Sequence, residues 1–208
     1  MTTAGASHPT SALASFARVV MIGAASVLLG GLTFFAQGFL PGWFTSFANS
    51  ASGWTVLTAV LIGVSGLRPW VSMLSGAVSF VLLTVGYGWA AALSGLSYDP
   101  TLFSVIGILV GPFVGLAAAW LRARGLRAAL ATAALAGVGL GESVYGLTVV
   151  ADSTSPVYWS AIGLGGVALL TVMLVRRIRG LAPVLCAVVG TVAVAAAFLV
   201  TYSWIGGV

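Results

Sequence analysis

Glu142 is the only glutamate in the chain, and it lies in the largely apolar run GLGESVYGLTVVADSTSPVYW, residues 139–159. An ionised side chain costs about 2.5–3.5 kcal/mol at the centre of a membrane helix, so this acid must face protein or water and not lipid. On a helix, Gly139, Tyr145 and Gly146 lie three before, three after and four after it, and so share its face. The spacing predicts a groove with an acid and a phenol on its floor and bare backbone beside them. Two chemistries fit. An ionised Glu142 in a wet cavity would hold a cation or relay a proton, whereas a protonated one would be bonded to a neighbouring helix.

Further polar and aromatic candidates fall near the same end of the apolar runs. Gln37, Asn49 and Ser50 follow the first run, Tyr98 and Asp99 sit in SYDP, and Asp152, Tyr158 and Trp159 follow Glu142 and Tyr145. No base stands among them. Such an acidic, aromatic vestibule favours a small cationic or neutral hydroxylated ligand and disfavours anions. For Trp43, Trp159, Tyr202 and Trp204 an interfacial aromatic belt is the competing role.

Catalysis finds little support in these residues. An intramembrane hydrolase needs a Ser with a His, a carboxylate pair or a metal cluster, and the single histidine, His8, lies in the polar N-terminal stretch. Glu142 has no acidic partner on its own helix. No HExxH motif or Cys/His cluster is present, so no metal or cofactor is expected. The reading is non-enzymatic.

The elements that must carry these residues are set by composition. Hydrophobic residues make up 60% of the 208 and charged residues only 5%, far from the quarter typical of soluble domains. Mean hydropathy is +1.16. The expected fold is an all-α, polytopic transmembrane bundle of about seven spans: residues 1–15 form a disordered polar tail and 16–208 a single helical domain. The 8 basic residues, all Arg, are scattered between apolar runs without aromatic interleaving, which argues against nucleic acid as a partner. The lone Cys186 permits no intrachain disulfide. The N-terminal stretch lacks the layout of a signal peptide.

In order, the first helix follows Arg18 and ends at Pro41, and the aromatic, polar segment PGWFTSFANSASGW comes next. That segment's broken backbone cannot lie in bare lipid. The second run, about residues 53–67, gives only ~22 Å of helix at 1.5 Å per residue, short for a span. Either it begins near Asn49 or the preceding loop dips into the membrane. It is counted as crossing, because all 8 Arg then fall on one side and Asp99, Asp152 and the C-terminus on the other. By the positive-inside bias the N-terminus is cytoplasmic and the C-terminus outside. Spans three to seven cover about 70–95, 101–121, the run up to Val150, the run ending at RRIRG, and 181–204. Gly107, Gly111 and Gly115 in the fourth run, and Ser26 and Gly30 in the first, make small-residue faces suited to another helix, of this chain or of a membrane-protein partner.

FFAQGFLPGWFTSFANSASGW, GLSYDP and GESVYGLTVVADSTSPVYW, in that order, resemble a family of small bacterial multipass proteins known only as a domain of unknown function. The resemblance covers nearly the whole chain after the tail and implies a bacterial cytoplasmic-membrane protein without an assigned activity. A more distant similarity, of size, Gly/Ala content and outward loops, is to the substrate-binding membrane subunits of energy-coupling-factor vitamin transporters. Those usually have six spans and an Ala-xxx-Ala docking motif, where this chain reads as seven and offers Ser26 and Gly30. The leading expectation is a protein of the lipid bilayer that binds or transports a small cationic or neutral polar molecule from the outer face, centred on Glu142. The alternative is a non-catalytic accessory or scaffold subunit of a larger membrane complex.

Overall fold

The computed structural model describes residues 12–205. It holds seven α-helices: α1 (Ala12–Phe39), α2 (Ala51–Ser65), α3 (Pro69–Leu93), α4 (Thr101–Trp120), α5 (Leu126–Thr148), α6 (Pro156–Arg176) and α7 (Leu181–Ile205). A short 3-10 helix, Thr45–Asn49, precedes α2. All but α2 are long and apolar enough to cross a membrane. α1 already includes Ala12–Ser15, which the sequence had assigned to a tail, because that stretch is Ala- and Leu-rich and runs directly into the span. His8 and the rest of 1–11 lie outside the described residues.

Small residues let the helices meet backbone to backbone. A Cβ on Gly30 would strike the Leu83 carbonyl, and one on Gly86 the Val27 carbonyl, so α1 and α3 are locked at two levels. On α4, a Cβ on Gly111 would come within 2.7 Å of the Ala77 backbone, while Gly107 faces Phe80 and Gly115 faces Ser72, all on α3. Ser26 bonds Ser79 at 2.8 Å, and Thr58 reaches the same hydroxyl at 3.3 Å, tying α1, α2 and α3 together. These faces are therefore filled from within the chain. The expectation that Gly107, Gly111 and Gly115, or Ser26 and Gly30, serve a separate partner gives way to intramolecular packing.

α5 is the other organising helix. Gly137 and Gly141 admit Val194 and Ala195 of α7, and Gly146 is covered by the Trp159 indole of α6. α2 lies between the two groups, touching α1, α3, α4 and α5. Its lower end is closed by Gly66, whose φ of 65° is the left-handed conformation that suits glycine.

The path of α2 follows from its neighbours. Ile62 and Leu67 pack with Ile22 of α1 and Ala118 of α4, and Gly66 lies beside the Arg18 guanidinium. The turn after α6 joins the turn after α4: Arg177 Nη1 donates to the Arg122 carbonyl at 2.7 Å, and the Gly125 N–H donates to the Arg177 carbonyl at 3.1 Å. The arginine-bearing ends thus share one side. α2 runs toward it with only 15 residues because the 40–50 segment covers the remaining depth.

Candidate functional site

The upper end of α2 shows how that depth is covered. Ala51, Ser52 and Gly53 form its first turn, where backbone N–H groups have no carbonyl four residues back. The Ser50 hydroxyl, in the N-cap position, accepts from Gly53 at 2.9 Å. Glu142 serves the other two, with Oε1 accepting from Ala51 at 2.7 Å and Oε2 from Ser52 at 2.6 Å. Both oxygens accept, as a carboxylate does, and the partial positive charge of the helix N-terminus lies against them. Glu142 is only 1% exposed.

Glu142 stands six residues below the end of α5 at Thr148, or about 9 Å by helical rise, and the N-terminus of α2 stands at that same depth. The 40–50 segment therefore descends from the end of α1 into the bundle to the level of Glu142. It is held by the bond between Ser50 Oγ and the Tyr158 hydroxyl at 2.5 Å, by stacking of Phe44 on Phe47, and by edge contacts of both rings with Tyr158. Trp54 Nε1 donates back to the Ala48 carbonyl at 3.3 Å.

Above this cap is a vestibule of about 570 Å³. Of the residues singled out by sequence, Gln37, Asn49, Glu142, Tyr145, Asp152 and Trp159 all line it. The other four stand elsewhere, Ser50 bordering the smaller cavity next to it. Tyr158 is buried behind the 40–50 segment, and Tyr98 lines an adjoining cavity of about 90 Å³ together with Trp54, Tyr87 and Phe103. Asp99 is exposed, and its Oδ1 accepts from the Thr101 N–H at 2.9 Å at the start of α4. Hydrogen bonding from Thr101, its side chain first and its backbone second, holds the Asp99 carboxyl below its ordinary pKa. Tyr98 moves the other way: burial, then the neighbouring Tyr87 and Asp99, push its phenol up to about 12.

Two elements of the groove expected around Glu142 are changed by α6. Trp159 lies on Gly146, its Nε1 donating to Thr154 Oγ1 at 2.8 Å, and Gly139 faces the Ile162 carbonyl. The bare patches thus receive α6 and not a ligand. Gly139 also borders a mostly apolar cleft of about 430 Å³ between α2, α5 and α6, with the buried Ser52 side chain at its edge.

Sequence reasoning passed over Tyr202 and Tyr87 as contributors to the site. Tyr202, read as part of the belt, lines both the vestibule and the smaller cavity, whereas Trp43 and Trp204 are exposed as a belt requires. Tyr87 accepts from Gln37 Nε2 at 2.9 Å, 50 residues away. Ser50, already among the candidates, proves to be the N-cap of α2, a role signalled by a serine immediately before an apolar helical run.

Helices of this length and apolarity, closed around a polar cavity at one end, define a multipass membrane-helix bundle. The chain belongs to the Family of unknown function (DUF6518), which matches residues 9–207. No curated protein and no solved structure matches it.

Proposed function

We propose that this protein binds, and in transport hands across the membrane, a small cationic or neutral polar molecule that enters the vestibule from the side opposite the arginines. The observation that carries this reading is the vestibule's lining. It is large enough for a small metabolite, it gathers Gln37, Asn49, Tyr145 and Asp152 with Glu142 at its floor, and it contains no basic side chain. Because both Glu142 oxygens are engaged by α2, ligand contacts fall to the surrounding side chains, and Glu142 builds the floor that they stand on. The Asn49 amide has no hydrogen-bond partner among the described residues and borders both cavities. The role is non-catalytic. By the positive-inside bias the arginine side faces the cytoplasm, of a bacterial cell on the sequence resemblance, and the vestibule faces out.

The test is a thermal melt in detergent against amines, polyols and vitamins, on the wild type and on Asn49→Ala and Asp152→Asn. A ligand at a hundredfold excess over its Kd stabilises by about 2.7 kcal/mol. At least one compound is expected to raise the wild-type melting temperature and to lose that effect in the variants. Shifts of equal size in all three proteins would move the site elsewhere.

A second reading rests on α7, whose most apolar stretch is only 11% buried. An accessory subunit would cover that face with another protein. Copurification of a stable partner without any ligand would favour it.

A further inference from the structure

We infer that the smaller cavity beside the vestibule is a receptor for a methylated ammonium group, so that the ligand is an organic cation with its headgroup among aromatic rings and its polar remainder in the vestibule. This deepens the proposed function and rests on it. The cavity lies between α2, α3, α4, α7 and the 94–100 turn, with Trp54, Tyr87, Tyr98, Phe103 and Tyr202 in its lining. Its volume, about 90 Å³, suits a headgroup and not a whole metabolite. Asn49 and Tyr202 border both cavities, so one ligand can occupy the two together.

The rings are held in place before any ligand arrives. Tyr87 and Tyr98 have centroids 4.7 Å apart, and Trp54 stands 6.1 Å from Tyr87. Hydrogen bonding fixes Trp54 through Ala48 and Tyr87 through Gln37. Tyr98 is seated over Gly88, where a Cβ would meet its ring at 3.3 Å. Rings of Trp and Tyr attract a cation through their negative faces.

The polar groups in the cavity decide which cation fits. A primary ammonium brings three N–H donors that need acceptors, and one left unpaired in an apolar site is costly. Here the Ser50 hydroxyl is engaged by Gly53 and Tyr158, and the Glu142 oxygens beyond it are engaged by α2. What remains is neutral, the Asn49 amide and the Tyr98 and Tyr202 hydroxyls, and the rest of the lining is mostly ring and alkyl surface. A quaternary ammonium has no N–H to satisfy, and its methyl groups pack against rings. The charge is also favoured at longer range, since the described acids, Asp99, Glu142 and Asp152, stand at this end while the arginine turns are at the other.

The experiment is isothermal titration calorimetry of the purified full-length protein with choline and with 3,3-dimethylbutan-1-ol, its uncharged isostere. Choline is expected to bind about tenfold or more tightly than the isostere, the scale of a desolvated cation–π contact. Trp54→Leu and Tyr98→Leu are expected to remove that preference, while Tyr98→Phe, which keeps the ring, retains it. Circular dichroism melts of each variant identify any that fails to fold, and the Phe/Leu comparison at position 98 then carries the test. Equal binding of choline and the isostere, or choline binding indifferent to Tyr98→Leu, would overturn the inference. Binding of a primary amine or polyol that depends on Asn49 and Asp152, with no choline binding, would overturn it and leave the vestibule reading standing. Binding of nothing at all would remove both.

Discussion

Ala51 and Glu142 stand 91 residues apart in the chain, yet the Ala51 N–H donates to Glu142 Oε1 at 2.7 Å, and the next amide, Ser52, meets Oε2. A side chain of α5 thereby completes the first turn of α2. This bond pair lets a helix begin inside the bundle, where its amides would otherwise have neither carbonyl nor water.

Glu142→Gln tests that cap. Glutamine offers one acceptor where the glutamate offers two, and its NH2 would confront a backbone N–H. Leaving a buried donor unpaired costs about 1–3 kcal/mol, so the variant is expected to melt well below wild type in detergent without any ligand present. A melting curve matching wild type would show that the cap contributes little.

Gly111→Ala probes the α3–α4 contact. Its new Cβ would press on the Ala77 backbone, which cannot yield as a flexible side chain would, and overpacking of this kind costs about 1–3 kcal/mol. Gly63→Ala is the control. Nothing lies within 4 Å of that position, so alanine's better helix propensity is expected to stabilise α2 by up to about 1 kcal/mol. Equal melting temperatures for the two variants would contradict the glycine-locked interface.

Tyr98 predicts a pH response at the alkaline end. Its phenol is raised from the ordinary 10.0 to about 12 in the folded protein, so between those values the native state holds a proton that the unfolded chain has lost. Stability from this group is complete below pH 10 and declines as pH rises toward 12. Ultraviolet titration of tyrosinate should show a late component that Tyr98→Phe removes, and the variant should lose less stability over that window. A wild-type spectrum with no difference from the variant near pH 12 would contradict the burial of this ring.

Topology can be read by cysteine labelling after replacing Cys186 with serine. Cysteines at Asp99 and Asp152 are expected to react with an impermeant reagent from one side of the membrane, and cysteines at Arg124 and Arg179 only from the other. Labelling of Asp99 and Arg124 from the same side would break the alternation of α3, α4 and α5.

Much of the architecture was open to reading from the sequence by itself. Seven apolar runs, punctuated by SYDP, RARGLR, ADSTSP and RRIRG, fall within a few residues of the seven helices, because membrane helices must be apolar along their whole length and their turns cannot be. The arginines marked which helix ends share a side. Glu142 stood out because a lone acid in such a run needs a partner, and six of the ten candidate residues do line one cavity.

The partner itself was decided by tertiary structure. Helical periodicity shows which residues share a face with Glu142, but not that two amides of a distant helix would reach that face. Nor could spacing show that Trp159 would cover Gly146, or that Tyr202, near the end of α7, would turn into both cavities. Each is a contact between segments far apart in the chain. Such contacts depend on how the glycine and serine faces of α1, α3, α4 and α5 set the helices against one another, and the order of residues along any one helix does not contain that arrangement.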